Sequence, residues 1–236
     1  MKDIYNNSTY LNNNPTWHQE DAPFKANKIV QLLNKNLISF KTVAEIGCGS
    51  GQILVELEPH LKTVTNFYGF DISTEAIQIA KTKQTNKITF ELSDITTSSN
   101  ANFYDLLLVI DVIEHLDNYF AFLNSIATKS NYTLFHIPLD MYVWTLFREK
   151  MLIESKDRVG HIHNFTEDFI LNILADYGFT VIDKMYTPPI SPATNFKQKI
   201  VNVARKILFK LNKKFCTKTI GGYSILVLTK NNTINK

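Results

Sequence analysis

Three glycines at alternate positions are the feature of this sequence with the clearest chemical meaning. Gly47, Gly49 and Gly51 follow a short apolar run at residues 43–46 and precede a helical pattern. Glycine serves where the backbone turns sharply or where a ligand approaches without a Cβ in the way. A strand, a glycine turn and a helix in that order form a ligand cradle. A dinucleotide site would carry G-x-G-x-x-G. Here the third glycine comes one residue early, so the ligand stays open at this point.

Acidic residues stand at the ends of three further predicted strands. Asp71 ends an aromatic-rich run, Asp94 follows an alternating one, and Asp111 follows the continuous apolar run 103–110. The carboxyl ends of parallel strands meet at one edge of the sheet, where α/β proteins bind ligands. A carboxylate there can accept both hydroxyls of a ribose, which is our interpretation of Asp71. The alternatives are a helix-start acid for Asp71 and a turn residue for Asp94.

Two of these motifs together resemble a known family. The pattern E-x-G-x-G-x-G at residues 45–51 resembles the first motif of class I S-adenosylmethionine-dependent methyltransferases. The segment D-V-I-E-H-L at residues 111–116 is similar to that of ubiquinone-biosynthesis O-methyltransferases and related small-molecule enzymes. The resemblance covers about residues 42–116 and implies S-adenosylmethionine as cofactor, with Asp94 beside the adenine amino group. The implied cofactor-binding residues are Glu45, Gly47, Cys48, Gly49, Gly51, Asp71, Ile72, Asp94, Ile95 and Asp111.

Strand and helix patterns alternate along the chain, which predicts an α/β fold. We expect a Rossmann-like, seven-stranded, mostly parallel sheet with helices on both faces. The resemblance implies that the last two strands, 179–186 and 223–229, form an antiparallel edge hairpin. Helices are predicted over 25–34, 74–83, 118–128 and 166–177. We treat residues 1–236 as one methyltransferase domain with three additions: cap helices at 16–40, a substrate-side insertion at 138–163 and a basic amphipathic insertion at 195–220.

Methyl transfer to a hydroxyl needs alignment of the two reacting groups and a base for the proton. His115 follows the end of the fourth strand and is the first candidate for that base. Alternation along an extended segment would place His161 and His163 on one side, and His163 is the second candidate. A structural role for these histidines is the alternative.

The same residues raise the question of a metal. Asp111, Glu114, His115 and His163 would make a mixed carboxylate and imidazole site for a divalent cation. This combination also resembles metal-dependent small-RNA 2′-O-methyltransferases, which typically carry Glu where this chain has Asp111. A metal is therefore considered but not favoured.

The acceptor side is predicted from the two insertions that flank the core. Trp17 and His18 lie in the cap, and a cluster of large apolar residues with Arg148 lies in the 138–163 insertion. Loops at the carboxyl ends of strands carry specificity, although the same residues would also suit anchoring or helix packing. The candidate substrate residues are Trp17, His18, His115, Tyr142, Trp144, Arg148, His161 and His163.

The positive charge of the chain is concentrated in one segment. Residues 195–220 contain eight lysines and arginines and no acid; since the whole chain carries +3, the remainder carries −5. Apolar residues recur there at helical spacing. This pattern predicts a helix on an anionic membrane surface, an ordinary packing helix, or a helix that binds nucleic acid or a protein.

Composition sets the remaining expectations. The chain has 44% hydrophobic residues and two cysteines without disulfide or metal-finger spacing, which favours a reducing, cytoplasmic setting with possible membrane association. The predicted function is S-adenosylmethionine-dependent O-methylation of an aromatic, quinone-like or lipid-linked small molecule. The alternatives are an RNA 2′-O-methyltransferase and a non-catalytic S-adenosylmethionine-binding subunit. Nucleic acid is disfavoured because no aromatic-interleaved RNA module is visible. The oligomeric state stays open.

Overall fold

The architecture is a seven-stranded sheet with helices on both faces. The structure, a computed structural model, describes residues 16–17, 19–97, 102–189 and 196–232, with the backbone alone for Lys197. The strand order is β3-β2-β1-β4-β5-β7-β6, and β7 is antiparallel to both its neighbours. The other neighbouring strands pair in parallel. The predicted fold class is confirmed. The strands are β1 (Thr42–Ile46), β2 (Asn66–Asp71), β3 (Ile88–Leu92), β4 (Tyr104–Ile110), β5 (Ser130–Pro138), β6 (Phe179–Thr187) and β7 (Ser224–Asn231).

The described helices agree with the predicted ones in place and differ at their ends. The helix expected over 25–34 begins at Ala22, because Pro23 suits a first turn whose N–H groups have no partner in the helix. It ends at Asn36, since Leu37 takes a left-handed conformation. The helices are α1 (Ala22–Asn36), α2 (Gln52–Leu57), α3 (Thr74–Lys81), α4 (Tyr119–Ile126), α5 (Val143–Leu146), α6 (Lys150–Val159), α7 (Glu167–Asp176), α8 (Phe196–Leu211) and α9 (Lys213–Thr219).

Two apolar cores lie on the two faces of the sheet. Strand β4 shows the division clearly, because its side chains alternate between faces. Leu106 and Leu108 belong to the core beneath α1, α2 and α3, whereas Leu107 and Val109 belong to the core beneath α4 and α7. The central strands are therefore buried on both sides, which leaves the strand ends as the place where polar side chains can meet a ligand.

The basic insertion forms two helices rather than one continuous stretch. Between α8 and α9, Asn212 leaves the helical conformation with φ of −152°. Its side-chain oxygen accepts a hydrogen bond from the backbone N–H of Phe215 at 2.9 Å and so caps α9. The apolar spacing predicted through Phe215 therefore crosses a helix break.

The third glycine of the loop has a packing role. Gly51 has φ of +75°, and a Cβ there would lie 2.4 Å from the ring of Phe90. Gly49 also has positive φ, at +53°, but a Cβ there would lie 3.8 Å from the Trp17 ring, an ordinary van der Waals distance. Both positions disfavour any residue with a Cβ, yet steric overlap arises at Gly51 alone of the two.

We expect Gly51→Ala to lower the free energy of unfolding by about 2–4 kcal/mol, because positive φ strain adds to overlap with Phe90. Gly49→Ala is the matched control and should lose about 1–2 kcal/mol from the strain. Urea unfolding followed by circular dichroism measures both. Equal losses in the two variants would contradict the packing role of Gly51.

Candidate active site

One cavity of about 1060 Å³ opens at the carboxyl edge of the parallel strands. It is lined by the loops that follow the parallel strands β1 to β5, by the start of α1, by one side of α6 and by residues 187–189 and 222–224. The predicted meeting place of the strand ends is therefore a single continuous space. Its two halves differ in chemistry.

The glycine loop is fixed to the neighbouring strand at one side of the cavity. The backbone N–H groups of Gly47 and Cys48 both donate to the carbonyl oxygen of Phe70, at 2.8 and 3.0 Å. The carboxylate of Asp71 accepts from the N–H of Gly49 and from that of Ser73, each at 2.8 Å. Burial raises the pKa of Asp71, and these backbone donors oppose that effect. Asp71 thus shapes the loop and also faces the cavity.

Glu45 is a buried acid at the floor of the same half. Its side chain is 1% exposed, and one carboxylate oxygen, Oε2, has no hydrogen-bond partner among the described residues. Burial raises its pKa well above the ordinary value, Lys25 acts in the opposite direction, and Asp71 adds to the rise. A buried polar atom that borders a cavity calls for a partner from the ligand. An amino group is a ligand group that suits it.

The structure brings most of the predicted cofactor residues to this half. Gly47, Gly49 and Asp71 line it, as do Glu45, Cys48, Ile72, Asp94 and Ile95. Asp94 accepts a hydrogen bond from the backbone N–H of Thr96 at 3.0 Å, which holds its turn at the cavity wall. Gly51 is the exception: the described lining passes from Ser50 to Gln52. Gly51 faces the core instead, because the position that a Cβ would take is occupied by the ring of Phe90.

Asp111 lies at the centre of a charged network that sequence reasoning missed. Its carboxylate accepts from Nζ of Lys25 at 2.7 Å and from Nδ1 of His136 at 2.5 Å. Nε2 of His136 meets Oγ1 of Thr187 at 2.9 Å. Burial alone would raise the pKa of Asp111, but His136 and Lys25 lower it well below its usual range. Asp111 lines the cavity, and its two carboxylate oxygens also contact Lys25 and His136; its service to the cofactor stays a prediction.

The other half of the cavity contains a cluster of two histidines and two acids. Glu114 is fully buried, and neither of its carboxylate oxygens has a hydrogen-bond partner within the described ranges. His115 Nδ1 donates to the carbonyl oxygen of Gly160 at 3.0 Å, and its Nε2 lies 3.9 Å from a carboxylate oxygen of Glu114. His161 Nδ1 meets Asp140 at 2.9 Å. Burial, followed by the charge of Asp111, raises the pKa of Glu114 well above its ordinary value.

The ligand atoms of Glu114, His115 and His161 lie within 4.8 Å of one another. Each histidine has its other ring nitrogen held by an oxygen acceptor, which is how metal-binding histidines are usually oriented. The donor set therefore fits a divalent cation. It differs from the predicted set, because His161 replaces His163, and Asp111 is engaged elsewhere.

His163 lies apart from this cluster. Its Nε2 donates to the carbonyl oxygen of Leu116 at 2.9 Å, and its ring packs against Tyr119. The predicted alternation fails because the N–H groups of Ile162 and His163 both donate to the carbonyl oxygen of Glu114, which bends the segment. The structure therefore brings His115 and His161 to the cavity and leaves His163 in the packing around Tyr119.

Of the other residues predicted to contact the substrate, some line the cavity and others do not. Trp17 lines the cavity beside Gly49, and His18 lies outside the described residues. Tyr142 is buried with its ring against Gly221, and Trp144 and Arg148 are exposed on and after α5. The short helix α5 turns these side chains outward, and the described wall is formed instead by Met151, Ser155 and Arg158 of α6.

Lys25 and His136 were missed for different reasons. His136 lies inside β5, in register with Ile110 of β4, so a rule that looks only at residues after the strand ends passes over it. Lys25 is one of several lysines in an amphipathic helix, and its place depends on how α1 packs over the sheet.

Comparison with known proteins agrees with this geometry. A family model described as a methyltransferase domain matches residues 17–184. Nodulation protein S of Rhizobium tropici is 28% identical over 105 residues, 42% of this chain and 42% of that protein. A ubiquinone biosynthesis O-methyltransferase of Rickettsia bellii is 25% identical over 109 residues, 45% of each chain. The match spans less than half the length of either relative.

A solved structure extends the likeness to most of the fold. The N-methyltransferase NodS of Bradyrhizobium japonicum, in complex with S-adenosyl-L-homocysteine, aligns with a TM-score of 0.58. The alignment covers 91% of both chains at 19% identity. At that identity the likeness shows a shared fold.

Proposed function

Because this chain belongs to the family of methyltransferase domains, we propose that it transfers a methyl group from S-adenosylmethionine to a hydroxyl oxygen of an apolar small molecule. The observation that carries the proposal is the continuity of the cavity. The glycine loop and Asp71 line one half, and the cluster of Glu114, His115 and His161 lines the other, so donor and acceptor would meet in one space.

The donor half offers groups that suit each part of S-adenosylmethionine. The unpaired oxygen of Glu45 suits the amino group of the methionine moiety. Asp71, which ends β2 at the cavity, suits the ribose hydroxyls, and Asp94 with Ile95 suits adenine. The NodS structure holds the product of the same donor. When bound, the donor supplies an activated methyl group, and the protein's part is to orient the acceptor and remove its proton.

The acceptor half supports an oxygen acceptor. A hydroxyl must lose its proton during transfer, and we assign that proton to Nε2 of His115, which lines the cavity. The hydrogen bond from Nδ1 to Gly160 fixes the ring and its tautomer. The name of the Rickettsia bellii relative specifies an O-methyltransferase, which supports the same choice.

A divalent cation is a second way to activate the same hydroxyl. Glu114, His115 and His161 would hold it, and the cation would lower the pKa of a hydroxyl placed beside it. Chelation distinguishes the two: loss of transfer in excess EDTA, restored by Mg²⁺ or Mn²⁺, supports the metal, and unchanged transfer supports His115 as a direct base.

The test of the proposed function is a transfer assay with methyl-labelled S-adenosylmethionine. Three acceptors are supplied separately: a total lipid extract, an alkyl catechol and a small RNA. We expect label in the lipid extract or the catechol. Tight donor binding with no label in any acceptor would favour a non-catalytic binding subunit, and label in RNA alone would favour RNA methylation. Either result would contradict the proposal.

A further inference from the structure

Helix α8 carries an exposed apolar stripe along its whole length. The stripe residues recur at intervals of four, three, four and four, which places them on one side of a helix. In a helix that only covers a core, such a side would be buried. Here each member is between 55% and 78% exposed: Phe196, Ile200, Val203, Ile207 and Leu211.

The opposite side of α8 is already engaged with the domain. The ring of Phe209 stacks on Tyr223 with centroids 4.2 Å apart. The guanidinium of Arg205 lies against Gly222, where a Cβ would come within 2.8 Å of it. Gly222 and Tyr223 in turn line the cavity. The helix is therefore held in place by one side, and the stripe is directed away from the protein close to the cavity wall.

Positive charge borders the stripe along one flank. Lys199, Lys206 and Lys210 are exposed and are spaced by seven and four residues, so they lie on one side of the helix next to the stripe. Residues 195–220 contain no acid. Lys214 and Lys218 are excluded from this flank because both bind Asp168, at 2.6 and 2.9 Å.

A second group of exposed apolar residues lies on and just after α5. Trp144 and Phe147 belong to α5 and the residue after it, and both are mostly exposed. Helix α5 packs against α9, which follows α8 directly. Tryptophan is favoured at the boundary between lipid headgroups and acyl chains. The exposed apolar residues of α5 and α8 thus lie on connected elements.

From this arrangement we propose that α8 docks in the plane of an anionic phospholipid surface, with the stripe in the headgroup region and the lysine flank on lipid phosphates. Burial of an apolar face together with lysine contacts to anionic lipid is the recognised basis of such binding. A second copy of the chain would place two lysine flanks against each other. Nucleic acid would use the lysines and leave five aliphatic and aromatic side chains unexplained. The inference does not rest on the proposed function.

No helix in the described ranges is long and apolar enough to cross a membrane. The proposed contact is with the surface alone. It would bring the cavity wall at Gly222 and Tyr223 close to the lipid, where an apolar acceptor is concentrated.

The test is flotation of the full chain with phosphatidylcholine vesicles, with and without 30% phosphatidylglycerol. We expect at least tenfold stronger partition into the anionic vesicles. Lys206→Gln with Lys210→Gln should weaken it about thirtyfold, since each lysine near the surface contributes roughly fivefold. Ile200→Ser with Ile207→Ser should weaken it about tenfold. The control Lys62→Gln with Lys81→Gln, on exposed lysines elsewhere, should change little.

Circular dichroism and donor binding show that each variant is folded, so a loss of flotation reports the surface itself. Equal partition into neutral and anionic vesicles, or no partition, would overturn the proposal. Self-association abolished by the isoleucine variant, without vesicle binding, would assign the stripe to a second copy and overturn it. A gel shift with a 20-nucleotide RNA, without vesicle binding, would also overturn it.

Discussion

Asp71→Ala should lower the affinity for S-adenosylmethionine and S-adenosyl-L-homocysteine at least hundredfold. Two losses combine in this variant. The proposed contacts to the ribose hydroxyls disappear, and the two backbone N–H groups of Gly49 and Ser73 lose their acceptor. Hydrogen bonds to a charged group contribute about 1.5–3 kcal/mol each, and 1.4 kcal/mol corresponds to about tenfold in affinity. Isothermal titration calorimetry with either ligand measures the change.

Asp105→Ala is the matched control for this experiment. Asp105 accepts from the backbone N–H groups of Lys41 and Thr42, at 2.7 and 3.0 Å, and so makes the same kind of bonds. It lies near the start of β4, at the amino ends of the parallel strands, and the cavity lies at their carboxyl ends. We expect this variant to keep its donor affinity within about threefold while it loses stability of the order of 1–3 kcal/mol. If both variants lost affinity alike, the ribose role of Asp71 would be wrong.

His115→Ala is the second large effect, on turnover rather than on binding. We expect kcat to fall about 10²–10⁴-fold, the usual contribution of a positioned general base, with donor affinity unchanged within about threefold. The assay is methyl transfer to the most active acceptor of the screen. Calorimetry with S-adenosyl-L-homocysteine confirms that the donor half is intact.

Variants of His161 and His163 distinguish whether His115 acts as a direct base or as a ligand of a bound cation. His163→Ala should leave kcat within about threefold, because its ring packs outside the described cavity lining. His161→Ala should match His115→Ala if a cation is bound, since both would supply ligands. A direct base at His115 predicts a smaller loss for His161→Ala, together with resistance to chelator. A full loss in His163→Ala would refute the placement of the histidines described above.

Local patterns were enough to predict that the glycine loop, Asp71 and Asp94 meet at one cavity. The glycine loop, Asp71 and Asp94 each lie at the end of a strand or within two residues of it, and parallel strands end at the same side of the sheet, so a linear motif suffices to bring them together. For Gly51, the motif predicted the position but not the role of the residue. The motif identified the residue, whereas its role depends on Phe90, which lies about forty residues further along the chain.

The acceptor half depends on contacts that no local pattern encodes. The bend at Ile162 and His163 follows from two hydrogen bonds to Glu114, and it decides which histidine reaches the cavity. Trp144 is exposed, whereas Tyr142 beside it in the sequence is buried against Gly221, which lies far along the chain. Lys25 reaches Asp111 because α1 packs on the sheet with its first turns beside the end of β4. Such tertiary contacts override spacing rules, and they were beyond prediction from the sequence.

The position of β7 has a consequence for the order in which this domain can assemble. Strand β7 lies between β5 and β6, and it is the strand to which β6 is paired in the described sheet. During synthesis, β6 therefore has to wait for residues 224–231 before it gains its partner, while β5 exposes an open edge. Unpaired strand edges promote association with other chains. The interval between β6 and β7, in which α8 and α9 are made, is thus when the nascent chain is most exposed to misassembly.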